Sequence, residues 1–181
     1  TSLNDACLEK KEHLQRVGKM AVDFAGYLEG GLAVEQNRFL QRLAELHDIG
    51  KAAIAADVLG KKSALTEEEW KIVQKHSEIG YRLAQSIGES EVAELILAIR
   101  ERWDGNGYPY RLKGEEIPFY ARLFALVDAY DVMTHDQPYR QALTRETAQA
   151  EIEAWKGRQF DPVLAERFCA FLTVGSLQEE A

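Results

Sequence analysis

The stretch AELHDIGK, at residues 44–51, sets a histidine, His47, directly beside an aspartate, Asp48. It closes an apolar-periodic segment, so both side chains stand where the face of a helix meets the core. Most charged residues of the chain fill solvent-facing positions, but these two do not fit that pattern. At a helix end, successive imidazole and carboxylate groups can both reach one cation, and a carboxylate can also bridge two cations. The pair therefore predicts a metal ligand set.

Three further residues place polar groups on apolar faces. His13 and His76 each lie between apolar residues of a helical pattern, and Asp128 lies inside LFALVDAYDVM. An unpaired buried carboxylate costs several kcal/mol, about 3 or more, so Asp128 needs a partner. Together with the adjacent pair, these residues can converge from separate helices on one cation. Mixed imidazole and carboxylate ligands suit manganese, iron, cobalt, nickel or zinc better than calcium.

A purely structural alternative exists for each residue taken singly. A lone histidine on an apolar face, such as His76, is usually a hydrogen-bonded core residue. Asp128 alone can pair with an arginine such as Arg122. The set as a whole favours a metal site more strongly than any member does.

Helices must position these residues, because apolar side chains recur every three or four positions through most of the chain. Thr66 and Glu69 have the spacing of a capping box, which starts a helix. The glycines and prolines of 104–118 exclude a helix and predict one long loop. No stretch alternates as a strand does, so the sequence predicts an all-α fold. The predicted helices cover residues 3–28, 34–48, 66–87 with a break or continuation at Gly80, 90–103, 119–135, 144–155 and 162–174.

Composition limits the remaining possibilities. The 181 residues are 46% hydrophobic and 29% charged, which suits one domain with a substantial core. The net charge of −8 disfavours DNA, RNA and anionic lipid as partners. Two cysteines without a partner motif favour a reduced, cytoplasmic setting, and no apolar run predicts membrane insertion. Since the chain begins without Met, we expect a domain excised from a longer protein.

The order of these motifs resembles a known family. His13, His47-Asp48 and Asp128 match the H…HD…D pattern of the HD superfamily of metal-dependent phosphohydrolases. The stretches ERWDGNGYP and EEIPFYARLFALVDAYDVMT are similar to the HD-GYP subfamily, bacterial phosphodiesterases of cyclic di-GMP. The resemblance covers nearly the whole chain. It implies that residues 1–181 form one HD-type helical bundle with a long GYP loop.

The resemblance also implies metal ligands, since family members hold two or three ions, commonly iron or manganese. Asp48 would bridge to a second ion, and His76 would bind that second ion. Glu9 matches a carboxylate that some members use for an additional ion, although a solvated helix residue explains it equally well. The ligands of the first ion would be His13, His47, Asp48 and Asp128.

Other matched positions belong to catalysis and substrate binding. Asp48 would share in activating a water, and Lys51 matches a lysine beside the scissile phosphate. Asp131 and Arg140 fall where the family places pocket residues, with Arg140 on a phosphate.

The chain departs from the family pattern just before the GYP loop. The family reads His-His-Glu-Arg there, whereas this chain has Ile99 and Arg100 in place of both histidines, which are ligands of the second ion. Arg100 cannot deprotonate to bind metal. Pointing inward, it would repel an ion or replace its charge, pairing with Asp48 or with a substrate phosphate; pointing outward, it is a surface arginine. Arg111 also stands where the loop usually has glycine. We therefore expect one ion.

Three functions follow from these observations. The first is weak, one-metal hydrolysis of cyclic di-GMP or a related phosphoester. The second is a regulatory module without turnover, which binds a nucleotide or a partner such as a diguanylate cyclase domain, because family GYP loops are linked to such contacts. The third is a single-metal nucleotidase, which needs only the H…HD…D set.

Overall fold

Seven α-helices form the part of the chain that the structure describes. The computed structural model describes residues 3–54, 58, 61, 64–137 and 140–179, and the side chains among them from 10 to 175. No β-strand occurs within these residues, which confirms the all-α expectation. Short 3₁₀ turns lie at Ile49–Ala53 and Gly114–Glu116. The helices are α1 Leu3–Glu29, α2 Val34–Leu46, α3 Glu67–Ser86, α4 Ser90–Ala98, α5 Phe119–Thr134, α6 Arg145–Trp155 and α7 Pro162–Glu179.

Helix α5 is the centre of the bundle and packs against α1, α4, α6 and α7. Apolar side chains cover most of its circumference, and Leu123, Phe124 and Val127 are completely buried. Such an all-round apolar helix belongs in a core. Asp128 is therefore carried into the interior by its neighbours in the sequence.

The outer helices bury one face each. Val17 and Phe24 on α1, and Leu40 and Leu43 on α2, have no exposed surface, as their helical spacing predicts. Helix α3 begins with the predicted capping box, in which the Oγ1 atom of the N-terminal threonine accepts from the Glu69 amide at 3.2 Å. It then runs without a break through its glycine to Ser86.

Two predicted helices end earlier in the structure. Helix α2 stops at Leu46, and the following turn packs closely on α3: a Cβ at Gly50 would lie 1.9 Å from the carbonyl oxygen of His76. Helix α4 stops at Ala98 rather than at residue 103. The GYP loop crosses back over the chain there, and a Cβ at Gly107 would lie 2.7 Å from the oxygen of Arg100. These close approaches bring residues 48–51 and 100 to the same region.

The GYP loop is tied to one buried carboxylate. Glu101 accepts hydrogen bonds from the amides of Tyr110 and Leu112 at 2.7 and 3.1 Å. Between them, Arg111 adopts a left-handed φ of 56°, so the loop keeps a glycine-like conformation with a larger residue. No helix among the described residues has the length and apolar character to cross a membrane.

Candidate metal centre

Four donor residues from three segments of the chain lie close together. His13 comes from α1, His47 and Asp48 follow α2, and Asp128 comes from α5. The Oδ1 atom of Asp128 lies 3.4 Å from Nε2 of His13 and 3.5 Å from Nε2 of His47. The same nitrogen of His47 lies 3.6 Å from Oδ2 of Asp48. The ligand atoms of His13, His47 and Asp48 all lie within 4.8 Å of one another.

Hydrogen bonds behind the two imidazoles turn their Nε2 atoms into this cluster. His47 donates from Nδ1 to the carbonyl of Ala44 at 2.7 Å, and its buried Nε2 has no hydrogen-bond partner. His13 contacts Asp131 through Nδ1, also at 2.7 Å. Arg16 in turn donates two hydrogen bonds to Asp131, at 2.7 and 2.9 Å. Such backing fixes the tautomer and the orientation of a ligating histidine.

Three separations among these donors fit one transition-metal ion. Bonds of about 2.0–2.2 Å to a tetrahedral ion separate neighbouring donor atoms by about 3.4 Å. The observed separations of 3.4 to 3.6 Å are close to this value. They are too long for good hydrogen bonds. The buried Nε2 of His47, which has no hydrogen-bond partner, is a suitable donor to a cation. The donor set fits the ion that the family resemblance implies.

On the side away from the histidines, Arg100 forms hydrogen bonds with both Asp48 and Asp128. Its Nη2 donates to Oδ1 of Asp48 and its Nη1 donates to Oδ2 of Asp128, both at 3.0 Å. The side chain therefore points inward. In each carboxylate, one oxygen accepts a hydrogen bond from Arg100 and the other faces the imidazole rings.

A second ion does not fit here. Ile99 is 5% exposed and belongs to the apolar core, so it offers no donor. His76 donates from Nδ1 to the carbonyl of Val73 at 2.5 Å, and its buried Nε2 has no partner. Beyond the shared Asp48, His76 alone remains of the second-ion ligands that the resemblance implied. The permanent charge of Arg100 stands where the missing histidines would act.

The cations set the protonation of both carboxylates. Burial on its own would raise the pKa of Asp48, but the charges of His47, Lys51 and Arg100 outweigh it and hold that pKa well below the usual range. Burial likewise opposes ionisation of Asp128, and Arg100 with the neighbouring histidines holds the pKa of that carboxyl well below its usual range. Both side chains are therefore carboxylates near neutral pH.

The pKa values of His13 and His76 shift in opposite directions. Burial tends to lower the pKa of His13, but hydrogen bonds and charges from Asp128 and Asp131 outweigh it and raise this pKa to about 9. Burial is also the largest effect on His76, and although its bond to a carbonyl opposes it, the charge of Arg100 helps to lower the pKa of that histidine. His76 is therefore neutral at pH 7.

Two cavities adjoin the centre on either side of Arg100. Lys51, which donates to Oδ2 of Asp48 at 2.8 Å, lines a cavity of about 320 Å³ with His76 and Tyr108. A larger cavity of about 670 Å³ includes Asp128 and four aromatic side chains in its wall. Arg100 and Tyr108 line both. The larger cavity therefore reaches Asp128, and the smaller one reaches the Lys51 side chain that bonds Asp48.

Two of the predicted substrate-binding residues do not line these cavities. Arg140 is exposed, donates to the carbonyl of Val132 at 3.1 Å, and lines neither of these cavities. Asp131 lies behind His13, on the side away from the two carboxylates that Arg100 bridges, and lines neither cavity. The side chain of Glu9 lies outside the described part of the chain.

Two arginines behave differently from the sequence-based reading. Arg122 pairs with Asp161 at 2.6 Å and not with Asp128. Sequence reasoning missed Arg16, which holds the carboxylate behind His13. Its position three residues after His13, on the same face of α1, was the available signal.

The fold and the donor set together are those of the HD domain family, whose members are metal-dependent. The model of the family described as HD domain matches residues 3–164. The chain belongs to this family and, by its motifs, to its HD-GYP group.

Relatives and a solved structure agree with this assignment. The cyclic di-GMP phosphodiesterase response regulator RpfG of Xanthomonas campestris is 42% identical over 135 residues, which are 73% of this chain and 36% of that protein. The 3'3'-cGAMP-specific phosphodiesterase 2 of Vibrio cholerae is 37% identical over 161 residues, 87% of this chain and 30% of that protein. The chain thus spans about a third of the length of these two relatives.

The solved structure supports the fold. An HD-GYP-type protein from Bdellovibrio bacteriovorus superimposes with a TM-score of 0.70 at 17% identity, covering 89% of this chain and 51% of that one.

Proposed function

We propose that this domain is a one-metal phosphodiesterase that hydrolyses cyclic di-GMP or a related cyclic dinucleotide in the bacterial cytoplasm. The observation that carries the proposal is the four-donor cluster, spaced for one ion, directly beside Lys51 and Arg100. Relatives named as cyclic di-GMP and 3'3'-cGAMP phosphodiesterases support the substrate class. Iron or manganese suits the mixed nitrogen and oxygen ligands.

The ion would be held by His13, His47, Asp48 and Asp128, and it would supply Lewis acidity and lower the pKa of a water. The cationic side chains of Lys51 and Arg100 would contact the phosphodiester and offset its charge. The Nζ of Lys51 is 2.8 Å from Asp48 and faces the smaller cavity, so it can offset charge on a phosphate there.

Arg100 has N–H groups beyond the two that bond the carboxylates, and it lines both cavities. A guanidinium presents five donors, so it can hold a phosphate oxygen while keeping its internal partners. It cannot supply an activated water, because it does not ligate one. We therefore expect slower turnover than in a two-metal relative.

A turnover assay tests the proposal. Metal-reconstituted protein is incubated with cyclic di-GMP or with 3'3'-cGAMP, and the linear products are separated by chromatography beside an active relative. We expect conversion by the native chain and at least about 100-fold less by Asp48→Asn, because that variant loses a ligand and the partner of Lys51. Asp23→Asn is the matched control, since Asp23 is an exposed carboxylate of α1 paired with Lys19. No conversion of either nucleotide, with the relative active, refutes hydrolysis.

One observation favours a second candidate. Because Arg100 already bonds both ligand carboxylates, the site is neutralised without a second ion, as a binding module would require. Such a module would bind a cyclic dinucleotide or a diguanylate cyclase domain without turnover. Calorimetry separates the two functions: binding of cyclic di-GMP that persists in Asp48→Asn, with no product formed by either protein, favours the module.

A further inference from the structure

We propose that the guanidinium of Arg100 replaces the second metal ion as a resident cation, and that it holds Asp48 and Asp128 ready to bind the first. This inference rests on the proposed one-metal function and deepens it. It assigns Arg100 as a positioning residue of the metal centre, and its tests count ions and measure melting rather than turnover.

The hydrogen bonds of Arg100 carry the inference. The two carboxylates come from segments 80 residues apart, and one guanidinium bonds an oxygen of each at 3.0 Å. These are the oxygens that face away from the histidines, whereas the remaining two oxygens lie 3.4 to 3.6 Å from the imidazole nitrogens. A planar guanidinium makes directed bonds in a fixed fork, so it orients both groups as well as neutralising them. A bridging ion would have the same two effects.

The backbone around Arg100 holds the guanidinium in this position. The carbonyl of Arg100 accepts from the Tyr108 amide at 3.3 Å, and Gly107 packs directly against the same peptide. The neighbouring Ile99 is anchored in the apolar core. An incoming second ion would therefore have to displace the guanidinium from both carboxylates, with His76 as its only further protein donor among the described residues of this centre.

Removal of Arg100 has a definite consequence. Lys51 would still bond Asp48 and His13 would still face Asp128, but no cation would bridge the two largely buried carboxylates in the metal-free protein, so their charges would repel each other more strongly. The free energy of unfolding would fall in the absence of metal and would recover when a divalent ion binds. Replacing Ile99 and Arg100 with histidines would restore two neutral donors beside His76, and a second ion would bind.

The experiment compares Arg100→Met with Arg102→Met, its matched control. Arg102 lies two residues away, has similar exposure, and pairs with Asp104 at 2.8 Å, outside the donor cluster. Melting temperatures are measured in chelator and in manganese. We expect Arg100→Met to melt about 5–15 °C below the native chain in chelator and to recover at least half of that loss in manganese. Arg102→Met should show the same small change in both buffers.

Metal counting completes the test. Elemental analysis after manganese loading should give one ion per chain for the native protein and two for Ile99→His/Arg100→His. Two ions in the native protein, or an equal melting loss of Arg100→Met with and without manganese, overturns the inference. One ion in a folded double variant also overturns it, and if that variant does not fold, the melting comparison decides. Failure to hydrolyse nucleotides would refute the proposed function but would leave these readings unchanged.

Discussion

The two halves of the centre share their carboxylates and differ in what faces them. On one side, the Nε2 atoms of His13 and His47 face the carboxylates, and a hydrogen bond at Nδ1 orients each ring. On the other side, Arg100 bonds the same two carboxylates. One half is therefore arranged to bind a cation, and the other already contains one.

This difference shows that a helical frame can keep its geometry while the chemistry of one position changes. Arginine in place of a histidine ligand supplies its own positive charge next to two carboxylates, where a neutral histidine would instead hold a cation. Under the proposed function, the charge balance is kept and the second ion is lost. Four predictions test the contrast between the halves.

Asp128→Ala should have the largest effect, because it damages both halves. It removes a donor of the first ion and leaves Arg100 with one carboxylate. We expect the free energy of unfolding in chelator to fall by about 3–5 kcal/mol. Urea denaturation measures this, with the exposed Asp23→Ala as the control. A loss no larger than in that control would contradict the pairing of Arg100 with Asp128.

His47→Gln and His76→Gln separate the halves directly. Both histidines are buried with an unpartnered Nε2, so the substitutions are matched in chemistry and burial. The first should weaken manganese binding by more than about 100-fold, since it deletes a ligand rather than an outer partner. The second should leave the affinity within about threefold. Calorimetric titration checks both, and equal losses would show that the ion lies between the halves.

Asp131→Asn should weaken metal binding at the His13 and His47 side by a smaller factor. Asp131 accepts from His13 and from Arg16 and does not face the cluster itself. Loss of such a carboxylate typically weakens metal binding by about 10–100-fold. The fold should stay intact by circular dichroism. An unchanged affinity would mean that Asp131 does not orient His13.

The pH dependence of the metal-free protein gives the smallest effect. The pKa of His13 is raised from 6.5 to about 9 by Asp128 and Asp131 against the effect of burial. A raised pKa stabilises the folded state fully below pH 6.5, and this stabilisation is lost as the pH rises through about 9. Melting temperatures in chelator should decline over that interval, and less so in His13→Gln. A decline of the same size in that variant would assign the titration to another group.

The sequence predicts the helices, and it predicts that His13, His47 and Asp128 lie close together, for a physical reason. The apolar periodicity around His13, His47 and Asp128 forces these polar groups inward, and a buried donor set limits the partners. The sequence could not decide in the same way whether the side chain of Arg100 points inward or outward. Its direction depends on where α4 ends, and Gly107 of the GYP loop packs closely against the chain just after that end.

The pocket roles of Asp131 and Arg140 remain predictions, and they too depend on packing that the sequence does not show. Both were placed in the substrate pocket by resemblance alone, since no periodicity distinguishes a pocket wall from the layer behind it. The structure places Asp131 behind His13 and Arg140 on the surface. Such placements depend on side-chain packing between distant segments, which a single sequence does not encode locally.

The most direct test of the contrast is the metal content of the native chain. Protein purified without chelators or a metal-affinity column is analysed for iron and manganese, before and after reconstitution. One ion per chain is the predicted result, because one half offers four suitably spaced donors and the other holds Arg100. Two ions per chain would contradict the account, since Arg100 would then have to leave both carboxylates.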